Sequence, residues 1–273
     1  MRRLLLVLSV LVTALAAALG LAPSASGATT LPSVMASTGD SITRGYDATA
    51  FGCFLADCPQ YSWSTGTSTA VNSQLRRIQA AGGKPTAYND AKTGAKMDAL
   101  AGQLQTAAGQ GAQYVTVLMG ANDLCTSTIA GMTPTATFQA EFQTALSGYL
   151  AGNTQGSVFV SSIPNLYQLW SLLHSNSAAA NTWRTFGICQ SMLSASNTDS
   201  QRQQVVAQEQ ADNNALAAVC AQYVNCKWDN LATYNTAFTT SDVSTVDYFH
   251  PSVTGQNKLA GITWGAGYWP TLP

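Results

Sequence analysis

Few residues in this chain could carry acid–base or nucleophilic chemistry. Charged side chains make up only 9% of its 273 residues, and the two histidines are His174 and His250. His250 lies in "VDYFHPS", three residues after Asp247. In a tight turn that spacing lets a carboxylate take one ring nitrogen while the other faces outward. The tautomer is then fixed and an imidazolium is stabilised. Pro251 stiffens the turn. An incidental surface histidine is the plain alternative, but one Asp-x-x-His among so few charges reads better as a base and its orienting carboxylate. His174, in "LWSLLHSN", has no acidic neighbour and reads as a charge at a helix C-terminus.

A base needs a proton to take, and Ser41 in "ASTGDSITRGY" (36–46) could supply it. A serine hydroxyl is too weakly acidic to attack an ester unaided, so it needs an adjacent base. The transition state of such an attack also needs donors where the carbonyl oxygen becomes negative. Three candidates present themselves: the Ser41 N–H, the N–H of Gly94 in "NDAKTGAK", and the side-chain amide of Asn122 in "MGANDLC". Taken alone, Gly94 is a turn glycine and Asn122 a helix cap. The Gly-x-Ser-x-Gly elbow of another hydrolase fold is absent, because Gly39 and Thr43 flank Ser41.

These residues can act together only if the elements around them bring them to one place. Strands are expected at 32–37, 85–91, 113–120, 157–165 and 224–230. Helices are expected at 69–81, 96–108 and 135–152, from Leu166 to about Cys220, and after Pro251. Strands alternating with helices indicate an α/β fold with a largely parallel sheet covered on both faces. Ligands bind such sheets at the carboxyl ends of the strands. Ser41, the Gly94 loop and the Asn122 loop follow strands one, two and three, so all three emerge at that edge. His250, just before the last helix, can return to it.

The first 28 residues read as a secretory signal peptide: Arg2 and Arg3, an apolar run from Leu4 to Ala22, and small residues at Ser26-Gly27-Ala28. An uncleaved anchor competes, but the Ala richness and the Gly20 break favour cleavage. Residues 29–273 then form one exported domain with no further membrane-spanning run. Loss of two arginines moves the formal charge from −1 to −3. No basic run remains to follow a phosphate backbone, so nucleic acid is excluded as a partner. The six cysteines, Cys53, Cys58, Cys125, Cys189, Cys220 and Cys226, all lie in the exported part, where disulfides persist. Cys53–Cys58 and Cys220–Cys226 would close short loops, leaving Cys125–Cys189 as the long link, although other pairings exist. A zinc site competes poorly with two histidines and no C-x-x-C knuckle.

Four blocks, "GDSITRG" at 39–45, "NDAKTG" at 89–94, "GAND" at 120–123 and "DYFH" at 247–250, resemble in order those of the SGNH hydrolases, also called the GDSL lipase/esterase family. The resemblance covers most of the exported chain. It implies a three-layer α/β/α sandwich with a five-stranded, mainly parallel sheet. It also implies Ser41 as nucleophile, His250 as base, Asp247 as its orienting group, and Ser41, Gly94 and Asn122 as the oxyanion hole. The cysteines resemble the three-disulfide pattern of the family's secreted bacterial lipases and phospholipases. The expectation is a secreted monomer, free of metal and cofactor, that cleaves fatty-acyl or phospholipid esters at a lipid surface. A carbohydrate acetylesterase would use the same site. A non-catalytic binder of polysaccharide or lipid surfaces and a metal-dependent phosphodiesterase are rivals of other classes. The apolar "NLYQLWSLL" (165–173) could line an acyl groove with Tyr46, Phe51 and Phe54. An ordinary core stripe through Leu166, Leu169 and Leu173 explains it more simply.

Overall fold

A computed structural model of the protein describes residues 30–272, so the expected leader over 1–28 lies outside the described residues. In chain order the elements are β1 (Val34–Gly39), α1 (Ser41–Arg44), α2 (Gln74–Ala80), β2 (Thr86–Asn89), α3 (Leu100–Gly109), β3 (Tyr114–Leu118), α4 (Ala121–Leu124), α5 (Thr135–Gly152) and β4 (Ser157–Val160). There follow α6 (Leu166–Leu173), α7 (Ser177–Phe186), α8 (Gln190–Leu193), α9 (Asp199–Cys220), β5 (Cys226–Trp228) and α10 (Val253–Ala266). The strands form one parallel sheet in the order β2-β1-β3-β4-β5. The chain thus winds first to one side of β1 and then to the other. The crevice beyond the carboxyl ends of β1 and β3 is where an open α/β sheet binds ligands.

Both faces of the sheet are covered, and so its central strands read as apolar runs rather than as alternating ones. In β3, Val115 and Val117 enter a core with Leu104 of α3, Phe142 of α5 and Leu216 of α9. Tyr114 and Leu118, one step out of phase, enter a second core with Ile78 of α2 and Leu259 and Trp264 of α10. The result is the α/β/α sandwich with the five-stranded parallel sheet expected from the sequence.

Two expected helices differ. The helix placed at 69–81 starts only at Gln74, where the Ser73 hydroxyl accepts the Arg76 N–H at 3.2 Å and caps it. The stretch from Leu166 to Cys220 is four helices. Asn176 caps α7 by accepting the Ala178 N–H, and Gly187, in the left-handed region (φ 63°), ends it. Cys189 is also left-handed (φ 44°) and is bonded to Cys125. Thr198 and Gln201 form a reciprocal cap that starts α9. The remaining disulfides are Cys53–Cys58 and Cys220–Cys226. Among the described residues no helix is long and apolar enough to cross a membrane.

Candidate active site

Ser41 is set by the way β1 ends. Gly39 has φ 134°, and a Cβ there would lie 2.1 Å from the Leu118 carbonyl oxygen, so a side chain is excluded. Gln103 of α3 grips the same residue twice, its Oε1 accepting the Gly39 N–H at 2.7 Å and its Nε2 donating to the Gly39 carbonyl at 2.9 Å. Asp40 is fully buried, and its Oδ1 accepts the Ile42 N–H at 2.9 Å, capping α1. Ser41 is the first residue of that helix, where a backbone N–H has no partner within the helix. Gln256 of α10 donates to the Ile42 carbonyl at 2.7 Å and holds the turn in place from the far side.

His250 is aimed by Asp247 through a local turn. Asp247 Oδ1 accepts the backbone N–H groups of Phe249 (2.9 Å) and His250 (3.0 Å). Its other oxygen, Oδ2, faces His250 Nδ1 in a short hydrogen bond. The opposite ring nitrogen, Nε2, lies 2.7 Å from Ser41 Oγ. A hydroxyl, an imidazole and a carboxylate therefore form one continuous hydrogen-bonded chain. Tyr46 packs against the imidazole with ring centroids 5.1 Å apart, and Phe249 packs edge-on at 5.0 Å.

The loops after β2 and β3 complete the surround. Lys92 N–H donates to the Gly39 carbonyl at 3.1 Å and seats the first of them beside Ser41. Gly94 is left-handed (φ 79°) with no atom within 4 Å of where a Cβ would stand, so the space beside its Cα is open. Asn122, in α4, donates one amide hydrogen to the Ala95 carbonyl at 3.0 Å. The second amide hydrogen remains for another acceptor. Buried Asp123 ties the two loops together, its Oδ2 accepting the Met97 N–H at 3.0 Å.

Burial governs the carboxylates around this chain. It pushes Asp40 up to about 7 and Asp123 up to about 6, against hydrogen bonds that lower both. For Asp247 burial also acts upward. It is outweighed by the hydrogen bond and charge of His250 and by two backbone N–H groups, so its carboxyl stays below the usual range. Asp247 is thus held ionised beside the imidazole. Among the described residues the one cluster of metal-ligand side-chain types is Asp47, Asp247 and His250. The two ring nitrogens of His250 there hydrogen-bond Asp247 and Ser41.

Ser41, Gly94, Asn122, Asp247 and His250 all line one cleft of about 380 Å³. None of residues 165–173 lines it, in keeping with their reading as a core stripe. Phe54, Leu55, Phe186 and Ile188 line it together with Cys125 and Cys189. Tyr46 and Phe54 line it as the sequence suggested, whereas Phe51 is 92% exposed outside it. Leu166 and Leu173 enter the core, because α6 docks them on α8 and α9. Leu169 and Leu172 line a separate apolar cavity of about 60 Å³ with Ile42, Ala121 and Pro251. Those last three are the sequence neighbours of Ser41, Asn122 and His250, and Phe249 lines both spaces. The contributions of Leu55, Phe186, Asp40 and Asp47 were not apparent from the sequence. The short cysteine-closed "CFLADC" (53–58) was the one available signal for the first.

A parallel α/β/α sandwich carrying a serine–histidine–aspartate chain at the carboxyl edge of its first strand is the architecture of a serine hydrolase. The GDSL-like lipase/acylhydrolase family model matches residues 38–258, and the chain belongs to that family of carboxylic ester hydrolases, which act through a serine acyl-enzyme. Among solved structures, a protein described as a GDSL-like lipase from Parabacteroides merdae superposes with a TM-score of 0.53. It is 17% identical, with 85% of this chain and 94% of that one covered. TesA gives a TM-score of 0.50 at 16% identity, covering 85% of this chain and 97% of its own. At such identities the likeness is one of fold. No curated protein sequence matches the chain.

Proposed function

We propose that the exported form of this protein, residues 29–273, hydrolyses fatty-acyl esters, with Ser41 as nucleophile, His250 as general base and Asp247 as the group that orients it. Ser41 Oγ attacks the acyl carbon while His250 Nε2 takes its proton. The Ser41 and Gly94 N–H groups and the free amide hydrogen of Asn122 receive the oxyanion. The intermediate collapses, His250 returns the proton to the departing alcohol, and an acyl-Ser41 ester remains. Water, deprotonated by His250, then attacks that ester. The acid leaves and Ser41 recovers its hydrogen.

The single observation that carries this reading is the continuous chain Ser41–His250–Asp247, with 2.7 Å between hydroxyl and ring nitrogen. The fatty-acyl assignment is supported by the cleft walls. Phe54, Leu55 and Phe186 are 63%, 54% and 65% exposed, and large apolar groups left in water at a cleft mouth suit an apolar ligand. The test is a rate profile on synthetic esters from acetyl to palmitoyl for wild type and Ser41→Ala. Turnover of medium or long chains that falls by several orders of magnitude in the variant is expected. Activity confined to acetyl esters would move the substrate to acetylated carbohydrate, and equal inactivity on every ester would remove the reading.

A further inference from the structure

Asp47 is a second carboxylate behind the catalytic chain. It is completely buried, and one of its oxygens, one of Asp247 and a ring nitrogen of His250 all lie within 4.8 Å of one another. The residue is held at every other point. Its N–H donates to the Ala56 carbonyl (3.2 Å), its Oδ1 accepts the Leu55 N–H (2.5 Å), and its carbonyl accepts the Ser244 hydroxyl (2.5 Å). Its φ is positive at 53°, a region that aspartate tolerates better than most residues other than glycine. Its remaining oxygen, Oδ2, has no hydrogen-bond donor among the described residues.

The Asp47 and Asp247 carboxylates lie within hydrogen-bonding reach of one another. We infer that Asp47 is a positioning residue for the hydrolysis: with Asp247 it forms a carboxyl pair that shares one proton on the acid side. The charge of that pair sets how firmly the imidazolium of His250 is held in the transition state. This inference rests on the reading of Ser41 and His250 as nucleophile and base. When the shared proton leaves for solvent, two negative charges stand behind the ring. When it is present, the Asp47 O–H donates to Asp247 and one charge remains. Burial first and the neighbouring Asp247 charge second push Asp47 up to about 6, the direction such a pair requires. Among the described residues the titratable groups that act on it are Asp247 and His250 from the loop before α10, and Tyr46 beside it in its own turn. Asp57, which acts on Tyr46, is itself paired with Arg44 at 2.9 Å.

The same residue joins the site to the cleft wall. Asp47 holds Leu55, and the Cys53–Cys58 bond closes the loop that carries both Leu55 and Phe54. Ser244 N–H donates to the His250 carbonyl at 2.8 Å, so the hydroxyl bond from Ser244 to Asp47 ties that loop to the catalytic one.

The test compares wild type with Asp47→Asn in the pH profile of kcat/KM on a soluble butyrate ester. The asparagine keeps an acceptor for Leu55 and fixes a neutral N–H donor towards Asp247, a permanent copy of the protonated pair. The wild-type acid limb is expected to steepen beyond a single ionisation. In the variant it should have unit slope, with a midpoint about one pH unit lower and kcat on the plateau reduced roughly 3- to 10-fold. A profile that keeps the wild-type slope and midpoint, whatever the change in kcat, overturns the inference. Should Asp47→Asn not fold, the low-field proton resonance of the His250–Asp247 bond in wild type serves instead. Two inflections with pH are expected, and one inflection overturns the pair. Failure of the underlying reading looks different, since Ser41→Ala would then keep full activity and wild-type Ser41 would escape labelling by a serine-directed phosphonate.

Discussion

Asp247→Asn gives the sharpest test of how the imidazole is held. The asparagine can still accept the N–H groups of Phe249 and His250 through its oxygen, as Asp247 Oδ1 does at 2.9 and 3.0 Å, so the turn should survive. What changes is the atom facing His250 Nδ1. An amide N–H there forces that nitrogen to accept, which puts the ring hydrogen on Nε2 and disables it as a base towards Ser41. The negative charge is lost as well. Two unit charges about 4 Å apart attract by about 4 kcal/mol at the effective dielectric of about 20 suited to partly buried pairs. At about 1.4 kcal/mol per decade, that term alone is worth ~10³ in rate. With the tautomer penalty, kcat should fall by ~10³–10⁴ while KM changes little. Steady-state rates on a butyrate ester at pH 8, with Ser41 phosphonylation rates measured in parallel, would show both losses together. A fall of less than tenfold in both would refute the reasoning, and a backbone carbonyl would then be the better candidate for orienting the ring.

Other consequences follow from the same geometry. Asn122→Ala removes one oxyanion donor and the bond to the Ala95 carbonyl; kcat should drop ~10²–10³ with KM nearly constant, and a change in KM alone would argue for a binding role. Asp40 titrates near 3.8 when unfolded and near 7 when folded, so between these values the folded protein holds a proton the unfolded chain lacks. Its contribution to stability therefore falls as the pH rises from about 4 to about 7. Asp40→Asn should gain Tm relative to wild type over that window, and a Tm difference that is flat from pH 4 to pH 8 would count against it. Replacing Cys125 and Cys189 together by serine opens a link spanning 64 residues. The loss should be about 4 kcal/mol, or roughly 10 °C in Tm, read by thermal melts with the reduced wild type alongside.

Much of this protein is legible along the chain because the relevant physics is local. The strand–helix alternation and the apolar run at Tyr114–Leu118 follow from a sheet buried on both faces, and such strands announce themselves by composition. The Asp247–His250 pair is equally local: a three-residue turn closes on its own carboxylate. Ser41, Gly94 and Asn122 were nameable because each lies in the segment after a parallel strand, and parallel strands deliver their following loops to one edge. What the chain could not reveal was which surfaces meet there. The broken helices between Leu166 and Cys220 depend on caps at Asn176 and Thr198 and on a disulfide to a residue far upstream, none of which disturbs apolar periodicity. The core stripe read in α6 holds for Leu166 and Leu173, but nothing along the chain indicated that Phe186 from α7 and Leu55 from a cysteine-closed loop would line the cleft instead. Asp47 is the clearest case: 200 residues separate it from Asp247, and only the folded chain brings the two carboxylates together. Sequence determined which groups could react. Tertiary packing decided which charges face one another and what surface a substrate meets, because burial and long-range proximity are properties of the folded molecule alone.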